Sequence, residues 1–175
     1  MRGVLVVLTL CLAPGLAWAQ APLDGLRPLL GTWTTEDTYY PEQGAPLVER
    51  GVRDCRLVLR DRYLQCETTA TNARGVERTY WFLINHNAVA GRIEMLSLWS
   101  NVPFKAVHQV ARGAGDAWRI TGLQMIGDTE ENRHYSDLVF HGADSIVWTG
   151  RRVRPGLDPG AAPVSFVETW RRRNP

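Results

Sequence analysis

The sequence is poor in the residues on which most catalytic and metal-binding motifs depend. Its 175 residues include three cysteines, four histidines and a single lysine, Lys105. It contains no Gly-x-Ser-x-Gly elbow, no His-Glu-x-x-His motif, no phosphate-binding loop and no dinucleotide fingerprint. No two histidines lie two residues apart, so no strand offers a ready pair of metal ligands. The sequence therefore identifies no catalytic residue and no metal ligand, and an enzyme is the function class that we favour least.

Long apolar runs are missing after the first residues of the chain. At the start, Arg2 precedes an apolar run from Val4 to Leu16, and Ala17-Trp18-Ala19 places small residues where a signal peptidase reads. The run is too short for a stable helix across a bilayer of about 30 Å. We therefore predict a signal peptide at residues 1–19, cleaved near Ala19. Residues 20–175 are then expected to be one domain in the periplasm or outside the cell, with no membrane span.

The chain also lacks an excess of charge of either sign. It carries 20 basic and 18 acidic residues, which gives no overall field to attract nucleic acid. Basic residues do cluster late, at Arg151 to Arg154 and at Arg171 to Arg173. A patch for polyanions and solvated strand ends are the two interpretations. We favour strand ends because no aromatic stacking platform accompanies the arginines, and we expect no nucleic-acid partner.

From Gly31 onward, polar and apolar residues alternate with the period of two that is typical of strands. Short turn sequences rich in Gly, Asn and Asp separate the segments, among them Asn85-His86-Asn87. The predicted strands are Thr32–Tyr40, Leu47–Leu59, Arg62–Thr71, Val76–Ile84, Arg92–Trp99, Phe104–Ala111, Ala117–Gln124, Arg133–His141, Ser145–Val153 and Val164–Arg172.

These connections favour an all-β fold in which each strand pairs with the next. A meander of about ten strands removes its exposed edges by closing, so we predict a closed antiparallel up-and-down β-barrel, with a two-sheet sandwich as the alternative. Leucines at helical spacing between Ala21 and Leu30, with Gly25 and Pro28 among them, predict a short helix or 3₁₀ turn before the barrel.

Two cysteines, Cys55 and Cys66, remain after the predicted signal peptide. A turn centred on Arg60-Asp61 places them opposite one another on neighbouring strands, and alternation puts them on the same face. Export to an oxidising compartment favours a disulfide. A metal pair and a redox dithiol are the competing interpretations, but both usually use the closer Cys-x-x-Cys spacing.

The two ends of the predicted barrel carry a recognisable pair of motifs. Leu29 to Trp33 reads Leu-Leu-Gly-Thr-Trp, and the last strand ends in Trp170 followed by Arg171 and Arg172. This pairing resembles the calycin superfamily, and most of all the secreted bacterial lipocalin-like domains of unassigned function. The resemblance implies that Trp33 seals one end of the barrel and that Arg172, or Arg171, covers it in a cation–π contact. It makes Trp33, Trp170 and Arg172 structural residues.

A more distant resemblance is to nitrobindin-like barrels. Its residues are Leu30-Gly31-Thr32-Trp33 and Tyr40-Pro41, and it implies haem as a cofactor. The glycines that such proteins carry between these motifs are replaced here by residues 34–38, and the sequence shows no histidine near the last strand to serve as an iron ligand. We therefore expect no cofactor and keep haem as the alternative.

A few polar residues share strand faces with apolar ones and become the candidate binding residues. His108 shares a face with Ala106 and Val110, and Arg78 shares one with Tyr80 and Phe82. A buried charge is costly unless paired, so Arg78 should find a carboxylate or an anionic ligand group, and a buried Glu168 likewise needs a partner. The candidate ligand-binding residues are His108, Arg78, Tyr80, Phe82, Phe104 and Trp118.

These residues predict a barrel that binds a small, partly apolar molecule without catalysis. A packed core uses the same residue types, so the alternatives are a filled barrel that acts through its surface as an envelope accessory protein, and a haem-binding barrel. The sequence leaves the oligomeric state open.

Overall fold

A computed structural model describes residues 21–103, 105–126 and 130–173. The predicted signal peptide and the candidate residue Phe104 lie outside these ranges. A 3₁₀ helix, Ala21–Leu29, precedes ten strands. The strands are β1 Gly31–Tyr39, β2 Leu47–Val58, β3 Tyr63–Asn72, β4 Glu77–Asn87, β5 Arg92–Trp99, β6 Lys105–Arg112, β7 Ala117–Ile126, β8 Glu130–His141, β9 Ser145–Val153 and β10 Val164–Arg172. In the described residues, no helix is long and apolar enough to cross a membrane.

The ten strands form one closed antiparallel barrel. Each strand pairs with the next along the chain, and β10 returns to pair with β1. The prediction of an up-and-down barrel of about ten strands, preceded by a short 3₁₀ segment, is confirmed, and the sandwich alternative is wrong. Closure satisfies the backbone groups of the first and last strands, which would otherwise form exposed edges.

One predicted turn was placed too early along the chain. Asn85, His86 and Asn87 continue β4 and pair with Glu94, Ile93 and Arg92 of β5. The turn follows at residues 88–91, where the Asn87 side chain accepts hydrogen bonds from the backbone N–H groups of residues 89 and 90. Because the Asn87 side chain binds the backbone of the turn that follows it, the turn begins after Asn87, and residues 85–87 remain in the strand.

The β2–β3 hairpin confirms the predicted disulfide. Cys55 and Cys66 are register partners and are bonded to each other. Between the strands, Leu59, Arg60 and Asp61 all have positive φ, at 52°, 58° and 60°. The bridge joins the two strands near this turn, whose three residues have the left-handed backbone conformation that residues other than glycine rarely adopt.

The 3₁₀ helix covers one end of the barrel, which we call the helix end. Leu23, Leu26 and Leu29 are buried there, and the Trp33 indole donates a hydrogen bond to the Leu29 carbonyl at 2.8 Å. The helix supplies the apolar face that this end of the barrel needs to exclude water.

Arg172 connects the barrel to the 3₁₀ helix through hydrogen bonds and a cation–π contact. Its guanidinium lies 4.1 Å from the centre of the Trp33 ring and donates to the carbonyls of Pro28, Leu30 and Ala143. This is the contact that the calycin resemblance implied for Arg172. Trp170 is buried beside Trp33, with ring centres 6.0 Å apart.

Candidate ligand-binding site

A cavity of about 400 Å³ occupies the barrel interior toward the end opposite the helix. Its rim includes Tyr39, Tyr40 and Leu47, which lie at the strand ends farthest from the helix. Phe82 and Trp148 also line it deeper inside, and their rings are in edge contact at 5.3 Å. The volume falls in the range of about 300–1,000 Å³ that small-molecule sites have.

One wall of the cavity contains a buried ion pair. Arg53 and Glu168 are both almost completely buried, and two guanidinium nitrogens of Arg53 contact the two carboxylate oxygens of Glu168 at 2.8 and 3.0 Å. The Arg53 guanidinium also lies 4.1 Å from the Trp170 ring centre and donates through Nε to Thr68. The side chain is thus held on several sides. Bidentate geometry of this kind offsets part of the cost of burying both charges.

A second buried carboxylate, Glu49, lies in the same wall. It pairs with Arg78 and accepts a hydrogen bond from the Tyr80 hydroxyl. Glu49 is fully buried, whereas Arg78 is partly exposed to the cavity. Arg78 was predicted to find a carboxylate or an anionic ligand group, and the carboxylate is confirmed as Glu49 on β2.

Asp37 is the third carboxyl of this wall, and the two arginines are already paired. Burial, and then the negative charge of Glu168, raise the pKa of Asp37 to about 8, although the Tyr39 hydroxyl and Arg53 act in the opposite direction. Burial, and then Asp37, raise the pKa of Tyr39 well above its usual value. The wall therefore holds two ion pairs and a protonated carboxyl at neutral pH, so it carries no net charge.

The opposite wall carries two histidines from different strands. His108 on β6 and His134 on β8 each pair with Gly122 on β7, which lies between them. The ring centres of the two histidines are 4.8 Å apart. A Cβ atom on Gly122 would lie 2.7 Å from the Val107 carbonyl oxygen and 2.9 Å from His108 Nδ1, so only glycine leaves room for this arrangement.

Burial keeps both imidazoles neutral. It lowers the pKa of His108 to about 4, and together with the nearby His108 it lowers the pKa of His134 to about 3. His134 Nε2 is hydrogen-bonded to the Ser136 hydroxyl at 2.8 Å, and Ser136 in turn accepts from the Trp148 indole at 2.7 Å. The His134 ring also stacks on Phe166 of β10. No histidine lies near the last strand in the sequence, but the closed barrel brings His134 of β8 within reach of β10.

Several polar atoms around the cavity have no hydrogen-bond partner in the part of the chain that the structure describes. Asp37 Oδ1, Arg78 Nε, Ser97 Oγ and His108 Nδ1 belong to residues that line it. Such groups in a protein interior carry a cost of about 1–3 kcal/mol each unless a water or a ligand satisfies them. This cost fits a cavity with polar contents better than a dry, filled core.

The predicted site residues divide into three groups. His108, Arg78, Tyr80 and Phe82 line the cavity. Trp118 does not line it; it lies under the helix, where its indole donates to the Gly25 carbonyl at 3.2 Å. Phe104 lies outside the described residues, and its role stays a prediction.

Sequence reasoning missed the charged residues Asp37, Glu49 and Arg53. The signal was present, because alternation from Trp33 along β1 reaches Asp37, and alternation from Cys55 back along β2 reaches Arg53 and Glu49. Within the described ranges, no group of three or more His, Cys, Asp or Glu side chains is arranged to hold a metal ion.

The chain is a closed, ten-stranded antiparallel β-barrel with an internal cavity. No family profile and no curated protein matches the sequence. The S-type phycobiliprotein lyase from Guillardia theta has the same fold: the alignment covers 85% of this chain and 90% of the lyase, with 9% identity and a TM-score of 0.57. A de novo designed fluorescence-activating β-barrel aligns over 86% of this chain and 98% of its own, with 11% identity and a TM-score of 0.46. A redesigned barrel bound to DFHBI aligns over 83% of this chain and 99% of its own, with 10% identity and a TM-score of 0.45.

Proposed function

We propose that this protein is an exported lipocalin-like barrel that binds a small, partly apolar molecule in its cavity and does not transform it. The observation that carries the proposal is the cavity itself, which combines aromatic surface with charged and polar groups. Small-molecule sites are concave cavities of about this volume in which polar groups at fixed positions orient the ligand.

The fixed polar groups define what such a ligand must offer. The charges of Arg53 with Glu168 and of Arg78 with Glu49 are paired within the protein, whereas Arg133, Arg151 and Arg152 also line the cavity, so the lining suits a neutral ligand or one with an acidic substituent. Neutral His108 and the hydroxyl of Ser97 supply hydrogen-bonding atoms next to the Phe82 ring. A molecule with an aromatic or alkyl body and one or two polar substituents matches this lining.

The test uses the uncharged dye N-phenyl-1-naphthylamine, which fluoresces strongly in apolar surroundings. The wild-type chain should give a saturable increase in fluorescence. Ser97→Leu adds bulk inside the cavity at a residue whose hydroxyl has no partner in the described residues. It should weaken dye binding at least about tenfold, because overfilling costs about 1–3 kcal/mol.

Thr69→Leu is the matched control. Thr69 is exposed on the outer face of β3, so introducing the same leucine side chain there should leave the affinity unchanged. Circular dichroism of both variants checks that each is folded. A wild-type chain with no saturable signal, or two variants with equal affinity, would contradict a binding cavity.

His108 is the residue that we propose for specificity. Native mass spectrometry of the protein purified from its natural host should show a discrete added mass, which identifies the ligand. His108→Ala should then weaken binding of that ligand, whereas the surface variant His141→Ala should not. Unchanged affinity in His108→Ala would remove this residue from the site.

Haem binding is the second candidate, and His108 is the observation that favours it. A neutral imidazole in a cavity is the form that binds iron. His134 Nε2 is already engaged by Ser136, which leaves His108 as the residue to hold the group. Haem would supply redox and gas-binding chemistry at its iron. A Soret band in the wild-type protein purified from its host, and its loss in His108→Ala, would support this candidate. A wild-type protein without a Soret band would exclude it.

Export is the remaining part of the proposal, supported by the apolar run and the small residues before Gln20. Intact-mass measurement of the protein from its host should correspond to residues 20–175. A mass that includes residues 1–19, together with recovery from the cytoplasmic fraction, would contradict it.

A further inference from the structure

The outer surface of the barrel carries an apolar face on three neighbouring strands. It consists of Trp81 and Leu83 on β4, Leu96 and Leu98 on β5, and Val107 on β6, and we call it the β4–β6 face. Each of these residues alternates with buried ones, so its side chain points outward. Trp81 is 39% exposed and Val107 is 52% exposed.

This face differs from the outer face of β1. On β1 the outward residues are Thr34, Glu36 and Thr38, which is the polar pattern that a solvated strand face usually has. A contiguous apolar patch on a soluble barrel marks an interaction surface more often than chance exposure does.

The strand register places opposite charges at the two edges of the β4–β6 face. One row across the sheet runs Glu67, Trp81, Leu98, Lys105 in register. Glu67 is on β3 and Lys105 is on β6, so an acid and a base flank two apolar residues. Neither Glu67 nor Lys105 forms an ion pair within the residues that the structure describes.

This row is self-complementary under a twofold rotation. An axis parallel to the strands, midway between β4 and β5, brings a second copy face to face with its strand order reversed. Glu67 then lies opposite the second copy's Lys105, and Trp81 lies opposite the second copy's Leu98. The same rotation in the next row places Leu83 opposite the second copy's Leu96. An interface that repeats each pairing twice is the isologous kind that most homodimers have.

We propose that the β4–β6 face is the interface of a homodimer of this chain, held by the apolar residues and oriented by two Glu67–Lys105 ion pairs. Two convex barrels touch over a limited area, less than the roughly 800 Å² per partner of standard interfaces. The dimer is therefore a reversible one. The cavity opens at the strand ends and not on this face, so dimerisation leaves it accessible.

The experiment is sedimentation velocity, without reductant, on the protein as it is purified from its host. The wild-type chain should show a monomer–dimer equilibrium. Glu67→Lys and Lys105→Glu each create two like-charge contacts in their own dimers, so each should weaken dimerisation at least about tenfold.

An equimolar mixture of Glu67→Lys and Lys105→Glu chains provides the decisive arm. In the mixed dimer, both edge contacts join opposite charges. One contact joins the original Lys105 of the Glu67→Lys chain to the original Glu67 of the Lys105→Glu chain, and the other joins the two substituted side chains, with their charges exchanged. Mixing should therefore restore dimerisation to within a few fold of the wild type. The control is Asp116→Lys, an exposed charge reversal in the β6–β7 turn, which should not change the equilibrium.

Three results would overturn the proposal. The first is a wild-type chain that stays monomeric at the highest concentration reached. The second is a dimer that both single reversals leave unchanged, which places the interface elsewhere. The third is a pair of single variants that are monomeric by themselves and stay so when mixed, although both are folded by circular dichroism.

Discussion

The most informative prediction concerns Asp37, a buried carboxyl beside the ion pair of Arg53 and Glu168. The folded protein holds its proton up to about pH 8, whereas the unfolded chain releases it near the usual value of 3.8. Between these two values folding takes up one proton. The free energy of unfolding should therefore fall as the pH rises through this window, and this contribution is fully lost above the folded pKa.

The magnitude follows from the proton uptake. One proton corresponds to about 1.4 kcal/mol per pH unit, so the interval from about pH 5 to about pH 7 is worth about 3 kcal/mol. His108 and His134 act in the opposite direction in part of this interval, because their folded pKa values are lowered from 6.5 and their stabilisation is lost as the pH falls. Their contribution cancels when two proteins that both carry them are compared.

The comparison is therefore between the wild type and Asp37→Asn, which keeps a neutral side chain at every pH. Urea unfolding followed by tryptophan fluorescence at the two pH values gives the difference in unfolding free energy. Relative to the wild type, Asp37→Asn should gain about 3 kcal/mol as the pH rises from about 5 to about 7. Asp61→Asn, at an exposed turn residue, is the control and should show no such gain.

A constant difference between wild type and Asp37→Asn at the two pH values would refute the argument, because Asp37 would then be ionised in the folded state. Infrared spectroscopy gives an independent check that does not depend on unfolding. A protonated-carboxyl band should be present in the wild type at neutral pH and should be missing from the variant.

Three further predictions concern stability. Thiol titration of the denatured, unreduced protein should find neither Cys55 nor Cys66 free, and replacing both by alanine should cost about 3 kcal/mol; two free thiols would refute the bridge. Arg172→Ala should lower the unfolding free energy by about 2 kcal/mol and speed proteolysis within the 3₁₀ helix, since it removes three carbonyl contacts and the stacking on Trp33; resistance equal to the wild type would contradict this. Gly122→Ala should lower the unfolding free energy in urea by about 1–3 kcal/mol because its Cβ meets backbone and imidazole atoms. An unchanged midpoint would show that the strands around Gly122 can accommodate a methyl group.

Local pattern was enough to predict the strands and the hairpin disulfide. Period-two alternation is a property of each strand by itself, and it located ten strands with errors of a few residues at their ends. The Cys55–Cys66 pairing needed only one turn and the same alternation. The misplaced turn at residues 85–87 shows the limit, because an Asn-rich segment can end a strand or extend it into the turn.

The candidate site depended on which strands meet around the barrel. Arg53 and Glu168 are 115 residues apart in the chain, and they meet only because β1, β2 and β10 are neighbours after closure. The sequence marked Arg78 and His108 as unusual, but it did not reveal that Arg78 pairs with Glu49 or that His108 lies beside His134.

By itself, then, the sequence determined the all-β class, the pairing of each strand with the next and the short helix before the first strand, because these follow from the alternation and turn chemistry of neighbouring residues. Only the tertiary structure decided that the interior keeps a cavity, that three carboxyls share two arginines, and that two imidazoles flank Gly122. These features depend on the width of the closed barrel and on the register between distant strands, and no local pattern encodes either.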